Sequence, residues 1–210
     1  NIVTDPIRAG IVECLASPGD NISGASDAIG IAEQLNNTMQ LLSFKRLGFF
    51  FNPREKNSMI IRDELHRFGD ANGIEIIDFR SPPVQDALSR NLQMLIDNPD
   101  FVDVVYLSAD SYLVSEAKNI GFQLRQAKLK SIGSIGSYIE HGVLMGVVGD
   151  YYQLGRAVAN IVDRHQEGEN LGEIPVQPIQ NVMLMINRTT AGLLGVKIDT
   201  SVYAKAVVVD

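Results

Sequence analysis

The chain has 210 residues, 45% of them hydrophobic, and a formal net charge of −7 from 18 basic and 25 acidic side chains. This composition is ordinary for a globular protein that forms one large domain or two smaller lobes. The acidic balance, without any basic cluster, argues against a nucleic-acid partner. The longest apolar run, at 142–149, is far too short to span a bilayer.

The first forty residues predict two helices separated by an extended segment. Pro6 is expected to begin the first helix, because a proline at the first helical position loses no hydrogen bond, and this helix is expected to reach Ala16. Within it, the single cysteine, Cys14, has apolar neighbours at helical spacing, which predicts a buried thiol. Ser26 or Asp27 is expected to cap the second helix.

From residue 46 onward, short apolar runs alternate with amphipathic segments. The run 46–51 leaves no room for a solvated face, as a parallel strand covered on both sides requires, and Asn52-Pro53 ends it. Asn57 or Ser58 is expected to cap the next helix. Strands or apolar segments are predicted at 46–51, 74–79, 102–107, 131–135, 143–148 and 181–186, and helices at 57–71, 84–97, 112–127, 151–166 and 188–194. This alternation indicates βαβ units and a parallel sheet, so we expect an α/β fold.

The sequence lacks the common motifs of catalysis, metal binding and nucleotide binding. None of the three histidines has a carboxylate or a second histidine at ligand spacing, so neither a zinc site nor a Ser-His-Asp triad is predicted. No Gly-x-Gly-x-x-Gly or phosphate-loop lysine motif and no nucleophile elbow is present. The sequence therefore predicts a binding protein and not an enzyme, with no cofactor and no metal.

Three loops with small polar side chains follow predicted strands, which is where open α/β sheets bind their ligands. The first is 52–58, which leads into a helix N-terminus that could bind an anion. In the second, 108–111, Asp110 is either an ordinary N-cap or the counter-ion of a ligand ammonium group. In the third, Tyr138 is either an aromatic wall of the site or a surface tyrosine. A ligand with both a carboxylate and an amine would be an amino acid.

Six short segments, in one order along the chain, carry a resemblance to a known family. They are Thr4-Asp5-Pro6, Asn21 to Gly24, Phe51 to Ser58, Ala109-Asp110-Ser111, Glu140-His141-Gly142 and Gly149 to Gly155. Almost throughout, the chain resembles the ABC-transporter substrate-binding proteins of the tryptophan/tyrosine-binding type.

The resemblance implies the type I periplasmic binding protein fold, which has two α/β lobes joined by three hinge crossings. It implies a first, N-terminal lobe formed by 1–22 and 146–176, and a second, C-terminal lobe formed by 23–145 and 177–210. It also implies that the N-terminal lobe is incomplete. An orphan strand tail expected at Ile2-Val3 agrees with that expectation.

The resemblance also assigns ligand contacts in both lobes. Asn52, Asn57 and Ser58 match the ligand loop of the second lobe. Thr4 and Asp5 match the edge of the cleft in the first lobe. These residues form the first part of the candidate site.

Two further loops of the second lobe complete the candidate site. Asp110 and Ser111 match a pair that often reads Asp-Asn in relatives, and Ser137 and Tyr138 lie in the third polar loop. Ser111 departs from the usual asparagine, and Ser137 stands where an aspartate is frequent. These departures leave the ligand class open, including whether it is an aromatic amino acid.

The function implied by the resemblance is that of the solute-binding receptor of an ABC importer. It would bind a small polar ligand, expected to be an amino acid, by hinge closure in the periplasm or elsewhere outside the cytoplasm of a bacterium. The expected partners are this ligand and the transporter permease, and a homodimer through the incomplete lobe is a further expectation. The alternative is a ligand-sensing domain of a signalling or transcriptional regulator, since the same fold is used there.

Overall fold

The computed structural model describes residues 3–84 and 86–210. The helices are α1 (Ile31–Met39), α2 (Lys56–Asn72), α3 (Ala87–Asp97), α4 (Ser111–Ser115), α5 (Ala117–Gln126), α6 (Gly136–Glu140), α7 (Tyr151–Gln166), α8 (Arg188–Leu193) and α9 (Thr200–Tyr203), with a 3₁₀ turn at Leu171–Glu173. The strands are β1 (Ala25–Ser26), β2 (Arg46–Phe51), β3 (Glu75–Arg80), β4 (Val104–Leu107), β5 (Ser131–Gly133), β6 (Met145–Gly149), β7 (Gln177–Pro178), β8 (Val182–Asn187) and β9 (Val207–Val209).

The strands form two sheets. The larger sheet has seven strands in the order β3-β2-β4-β5-β6-β8-β9, and the smaller sheet pairs β1 with β7. The pairings β2–β3, β2–β4, β4–β5, β5–β6, β8–β9 and β1–β7 are all parallel. Helices connect the successive parallel strands, so the predicted α/β fold is confirmed.

Both faces of the large sheet are buried, which explains the continuous apolar runs in its strands. Phe50 of β2 packs in one apolar cluster, whereas Phe49 and Phe51 pack in the other, because successive side chains on a strand point to opposite faces. Phe49 and Phe51 stack with their ring centroids 5.4 Å apart. The short run that is most apolar in the sequence therefore supplies core to both sides of the sheet.

The chain divides into two compact units. Unit 1 comprises the residues up to Ile29 together with Gly149–Val182, and unit 2 comprises Gly30–Val148 with Met183–Asp210. These boundaries lie later in the chain than the expected ones after 22, 145 and 176. The reason is the pairing of β1 with β7, which holds both strands in unit 1.

The first predicted helix, at 6–16, is wrong. One turn forms, in which the Ala9 N–H donates to the Asp5 carbonyl at 2.9 Å, but Gly10 then takes a φ of 74°, which a right-handed helix does not allow. No helix follows before α1 in this described segment, and Cys14 is exposed. The prediction of a buried thiol is therefore also wrong.

Most later elements agree with the sequence, and the differences have local causes. The bounds of β2 and α7 are the predicted ones. The helix predicted at 112–127 is two helices, because Glu116 has a ψ of 7° and separates α4 from α5. Two predictions include residues that the structure does not describe. The predicted strand tail at Ile2-Val3 includes residue 2, and the helix predicted from 84 includes Gln85. The observed helix α3 begins at Ala87.

Candidate functional site

Polar residues directly follow four neighbouring strands of the large sheet. They are Ser81 after β3, Asn52 after β2, Ser108 after β4 and Ser134 after β5. Since these strands are parallel, their carboxyl ends lie at the same edge of unit 2. Five buried polar side chains of unit 2 lie at this edge: Asn52, Ser58, Ser81, Ser108 and Asp110.

The Asp110 carboxylate is the centre of the hydrogen bonding at this edge. The Asp110 side chain is completely buried, with 0% exposed. Its Oδ1 accepts from the Leu113 N–H at 3.1 Å, and its Oδ2 accepts from the Asn52 N–H at 2.9 Å and from the Ser58 hydroxyl at 2.5 Å. The N-cap interpretation of Asp110 is therefore confirmed. Its direct contact with a ligand ammonium stays a prediction.

The first polar loop differs from the prediction in its cap. The helix α2 begins at Lys56, so its N-cap is Glu55, which makes no capping hydrogen bond through its side chain, and neither Asn57 nor Ser58 is the cap. Asn57 is half-buried within the first turn. The Asn52 side-chain oxygen accepts from the Arg54 N–H at 3.0 Å, which holds the loop in a tight turn.

Glu55 is a part of this edge that the sequence did not predict. Its Oε2 accepts from the Ser111 N–H at 3.0 Å, and its Oε1 accepts from the Ser111 hydroxyl at 3.2 Å. Burial raises the pKa of the Glu55 carboxyl, and the nearby charge of Asp110 adds to this shift, against the opposing hydrogen bonds from Ser111. Ser111, a predicted ligand residue, is thus bonded to the first loop.

Tyr138 does not form a surface of the site. The structure places its ring in the core with 0% exposed, and its hydroxyl donates to the Ser108 carbonyl at 3.0 Å. Burial raises the pKa of this hydroxyl well above its usual range, and the charge of Asp110 adds to the shift. Both the aromatic-wall and the surface-tyrosine interpretations are corrected, because the Tyr138 ring packs in the hydrophobic core of unit 2. Its neighbour Ser137 is half-buried, with its carbonyl 2.7 Å from the His141 Nδ1.

Two buried hydroxyls at this edge have no hydrogen-bond partner among the described residues. They belong to Ser108, which is 2% exposed, and to Ser134. The ladder of β4 and β5 pairs Leu107 with Gly133, so Ser108 and Ser134 occupy adjacent positions one residue further on. Buried hydroxyls are normally hydrogen-bonded, and an unpaired one at a strand end is available to a ligand or to water.

The Ser108–Ser134 pair was missed in the sequence because a serine after a strand is common. Its only signal was that small polar residues follow two neighbouring strands. Ser134 lies beside the Tyr106 hydroxyl, which donates to the Gln34 side-chain oxygen at 2.9 Å. Burial raises the pKa of Tyr106, so this phenol stays protonated.

The remaining predicted residues, Thr4 and Asp5, lie in unit 1. The Thr4 carbonyl accepts from the Ser26 hydroxyl at 2.8 Å, and the Asp5 Oδ1 accepts from the Arg8 N–H at 2.9 Å. The candidate residues therefore form two groups, one in each unit, and seven of the nine belong to unit 2.

Neither metal chemistry nor membrane insertion has structural support in the described part of the chain. Residues 3–84 and 86–210 contain no group of three or more His, Cys, Asp or Glu side chains placed to hold a metal ion. In the same ranges, every helix is too short or too polar to cross a bilayer.

An α/β chain in two units, with buried polar groups at the carboxyl ends of parallel strands, has the features of a binding protein. The chain belongs to the family described as ABC transporter substrate binding protein, whose pattern it matches over residues 1–209. Proteins of this family bind substrates and are not enzymes. The resemblance found in the sequence is confirmed.

Individual relatives agree with this family. The chain is 29% identical over 189 residues to a tyrosine-binding protein of Clostridioides difficile (strain R20291), an alignment that covers 90% of the chain and 54% of the relative. The chain thus spans about half the length of this curated relative.

Solved structures show the same fold. A conserved domain protein from Vibrio cholerae has a TM-score of 0.87 and 29% identity, with 99% of this chain and 69% of that chain covered. An ABC domain in complex with L-Trp from Streptococcus pneumoniae also has a TM-score of 0.87, at 25% identity, with 98% of this chain and 69% of that chain covered.

Proposed function

We propose that this chain is the substrate-binding part of an ABC importer receptor, and that its ligand is an amino acid with an aromatic side chain. The ligand would bind with contacts from both units and would favour a closed conformation. It can do so only through contacts that it gains on closure. The receptor would act outside the cytoplasm of a bacterial cell and deliver its ligand to the transporter permease.

The observation that carries this proposal is the pair of unpartnered hydroxyls of Ser108 and Ser134 at the carboxyl edge of unit 2. Beside them, the Asp110 carboxylate binds together loops that are more than fifty residues apart in the chain. The loops of this edge are thus held together by buried hydrogen bonds, and the two serine hydroxyls beside them are placed to bind a polar group. Preorganisation of this kind lowers the entropic cost of binding a small ligand.

The choice of an aromatic amino acid rests on relatives. One is named as a tyrosine-binding protein, and another was solved in complex with L-Trp. Hydroxyls are suited to the polar groups of such a ligand, because each serine can both donate and accept a hydrogen bond.

Isothermal titration calorimetry with L-tryptophan and L-tyrosine, and with L-leucine and L-glutamate as controls, tests the ligand class. We expect saturable binding of at least one aromatic ligand and much weaker binding of the controls. No binding of any amino acid to the folded protein would refute the proposed function.

Two matched serines, Ser131 at the start of β5 and Ser134 directly after it, test the site itself. The Ser134 hydroxyl is unpartnered, whereas the Ser131 hydroxyl, also buried, accepts from the Leu144 N–H at 3.1 Å. Ser134→Ala should weaken ligand binding about 3- to 10-fold, the worth of one hydrogen bond, with little loss of stability. Ser131→Ala should instead lower stability and leave affinity unchanged. Equal affinity of Ser134→Ala and the unmodified protein would remove Ser134 from the site.

A further inference from the structure

In unit 1, only one of the two oxygens of the Asp27 carboxylate accepts a hydrogen bond within the described part of the chain. Asp27 directly follows β1, and its Oδ2 accepts from the Tyr151 hydroxyl at 2.6 Å. Its Oδ1 is buried and makes no hydrogen bond within the part of the chain that the structure describes. Asp110, in contrast, has three donors on its two oxygens.

This free oxygen has a structural cause. The sequence predicted Ser26 or Asp27 as a helix cap, but α1 begins only at Ile31, after Gly30. The first N–H groups of α1 therefore lie too far along the chain for the Asp27 carboxylate to cap them, and no side chain caps this helix. The Asp27 carboxylate is left without the partners that a cap would have had.

Asp27 as a whole is half-buried, but its Oδ1 has lost contact with water without gaining a donor, which is unfavourable for an atom of a charged group. Buried charges in proteins are normally paired or hydrogen-bonded, and an exception often marks a group that awaits a ligand. Asp27 also stands at the carboxyl end of a parallel strand, the position where α/β proteins bind ligands. The position indicates a ligand, and the unpaired carboxylate oxygen indicates that the group it binds is a hydrogen-bond donor or a cation.

Tyr151 fixes the orientation of this carboxylate. Burial raises the pKa of the Tyr151 hydroxyl, and its hydrogen bond to the Asp27 carboxylate raises it further. The phenol therefore stays protonated and donates to Oδ2 throughout the physiological range. This leaves the Asp27 Oδ1 as the atom that can accept from another group.

We propose that Asp27 binds the α-ammonium group of the amino-acid ligand through its Oδ1, and that Tyr151 is the positioning residue that holds the carboxylate. This inference rests on the proposed function and deepens it, because it assigns the amine of the ligand to unit 1. Asp110 is then the residue that organises the edge of unit 2, and not the counter-ion that the sequence suggested. Since Oδ1 is buried, the ammonium reaches it only after a local rearrangement that exposes this oxygen.

The test measures whether Asp27 recognises the amine specifically. Calorimetry would compare L-tryptophan with indole-3-propionate, and L-tyrosine with 3-(4-hydroxyphenyl)propionate, which differ from the amino acids only by the missing ammonium group. Asp27→Asn should weaken the amino acid about 10- to 100-fold, as expected for a charge-assisted hydrogen bond, and should not weaken the des-amino ligand.

Two further variants separate the roles. Tyr151→Phe should reduce the preference for the amine several-fold, since the carboxylate remains but is no longer held. Asp163→Asn removes an exposed carboxylate of α7 in the same unit and should change neither ligand. A purely structural role of Asp27 would weaken both members of a ligand pair equally.

The outcomes distinguish this inference from the function on which it rests. If the unmodified protein binds no amino acid, the proposed function fails and the inference fails with it. If the amino acid binds but Asp27→Asn affects both ligands equally or neither, only the inference is overturned. If Asp27→Asn does not fold, Tyr151→Phe decides, because an amine preference equal to that of the unmodified protein would overturn the inference and a reduced preference would support it.

Discussion

Replacement of Asp110 by alanine should destabilise unit 2 far more than replacement of a more exposed aspartate that has as many hydrogen bonds. In Asp110→Ala, three donors lose their common acceptor: the Leu113 N–H, the Asn52 N–H and the Ser58 hydroxyl. The site is completely buried, so water cannot easily replace the carboxylate. We expect the free energy of unfolding to fall by about 3–5 kcal/mol, as when one partner of a buried charged network is removed.

Asp103 provides the matched control in the same unit. Its carboxylate accepts from the Lys45 N–H at 2.7 Å and from the Arg46 N–H at 2.8 Å, and also bonds the Arg46 guanidinium at 2.9 Å. Its side chain is 29% exposed, so water can take over these donors in Asp103→Ala. The expected loss is about 1 kcal/mol or less, which is typical of exposed ion pairs and hydrogen bonds.

Urea unfolding followed by circular dichroism measures both changes. With a slope of about 2 kcal/mol per molar urea, the midpoint should fall by about 1.5–2.5 M in Asp110→Ala and by about 0.5 M or less in Asp103→Ala. Asp110→Asn should lie between, because the amide keeps one acceptor oxygen and the Ser58 hydroxyl can rotate to accept from its NH₂ group. Equal midpoints for the two alanine variants would refute the reasoning that burial sets the cost.

Two further predictions concern backbone approach and charge. A Cβ at Gly146 would lie 1.8 Å from the Gly133 carbonyl oxygen, so Gly146→Ala should lower the free energy of unfolding by about 3 kcal/mol or more. In α7, a Cβ at Gly155 meets nothing within 4 Å, so Gly155→Ala should raise the free energy of unfolding by about 0.5–1 kcal/mol. Thermal unfolding that ranks the two variants the other way would contradict this. Because the pKa of Glu55 is raised in the folded state, by burial and by Asp110, its ionised form destabilises the fold above that pKa, and this penalty disappears as the pH falls through it. Glu55→Gln should therefore raise the urea midpoint at neutral pH and give no gain near pH 4, and a pH-independent gain would rule out the charge as its cause.

The parts of the fold that the sequence predicted well are those with strong local signals. Strand β2 is a continuous apolar run ended by Asn52-Pro53, and the cap of α7, Asp150, accepts from the Gln153 N–H at 3.0 Å as a typical N-cap does. The helix expected at 6–16 failed because its apolar spacing was real but Gly10 takes a positive φ, which no pattern of hydrophobicity reports.

The location of the candidate edge could be predicted, but its contacts could not. Parallel strands place their carboxyl ends together, so polar residues after successive strands were expected to be neighbours. Which groups pair there depends on contacts between segments far apart in sequence: the Asp110 side chain binds the Asn52 N–H, 58 residues away. Likewise, nothing in the sequence separates Ser134, whose hydroxyl is unpartnered, from Ser131, whose hydroxyl is used.

Asp27 and Asp110 demonstrate how the start of the next helix determines what a carboxylate after a strand can do. Asp27 is the first residue after β1, and Asp110 is the third residue after β4. The sequence made each of them a candidate helix cap. Helix α4 begins immediately after Asp110, so the Leu113 N–H is within reach, whereas α1 begins four residues after Asp27 and offers no such donor. The same local signature therefore gives a structural anchor in one unit and a free acceptor in the other. In the proposed site, a ligand ammonium would supply to Asp27 the donor that the helix supplies to Asp110, which is why we propose amine recognition by the residue that fails as a cap.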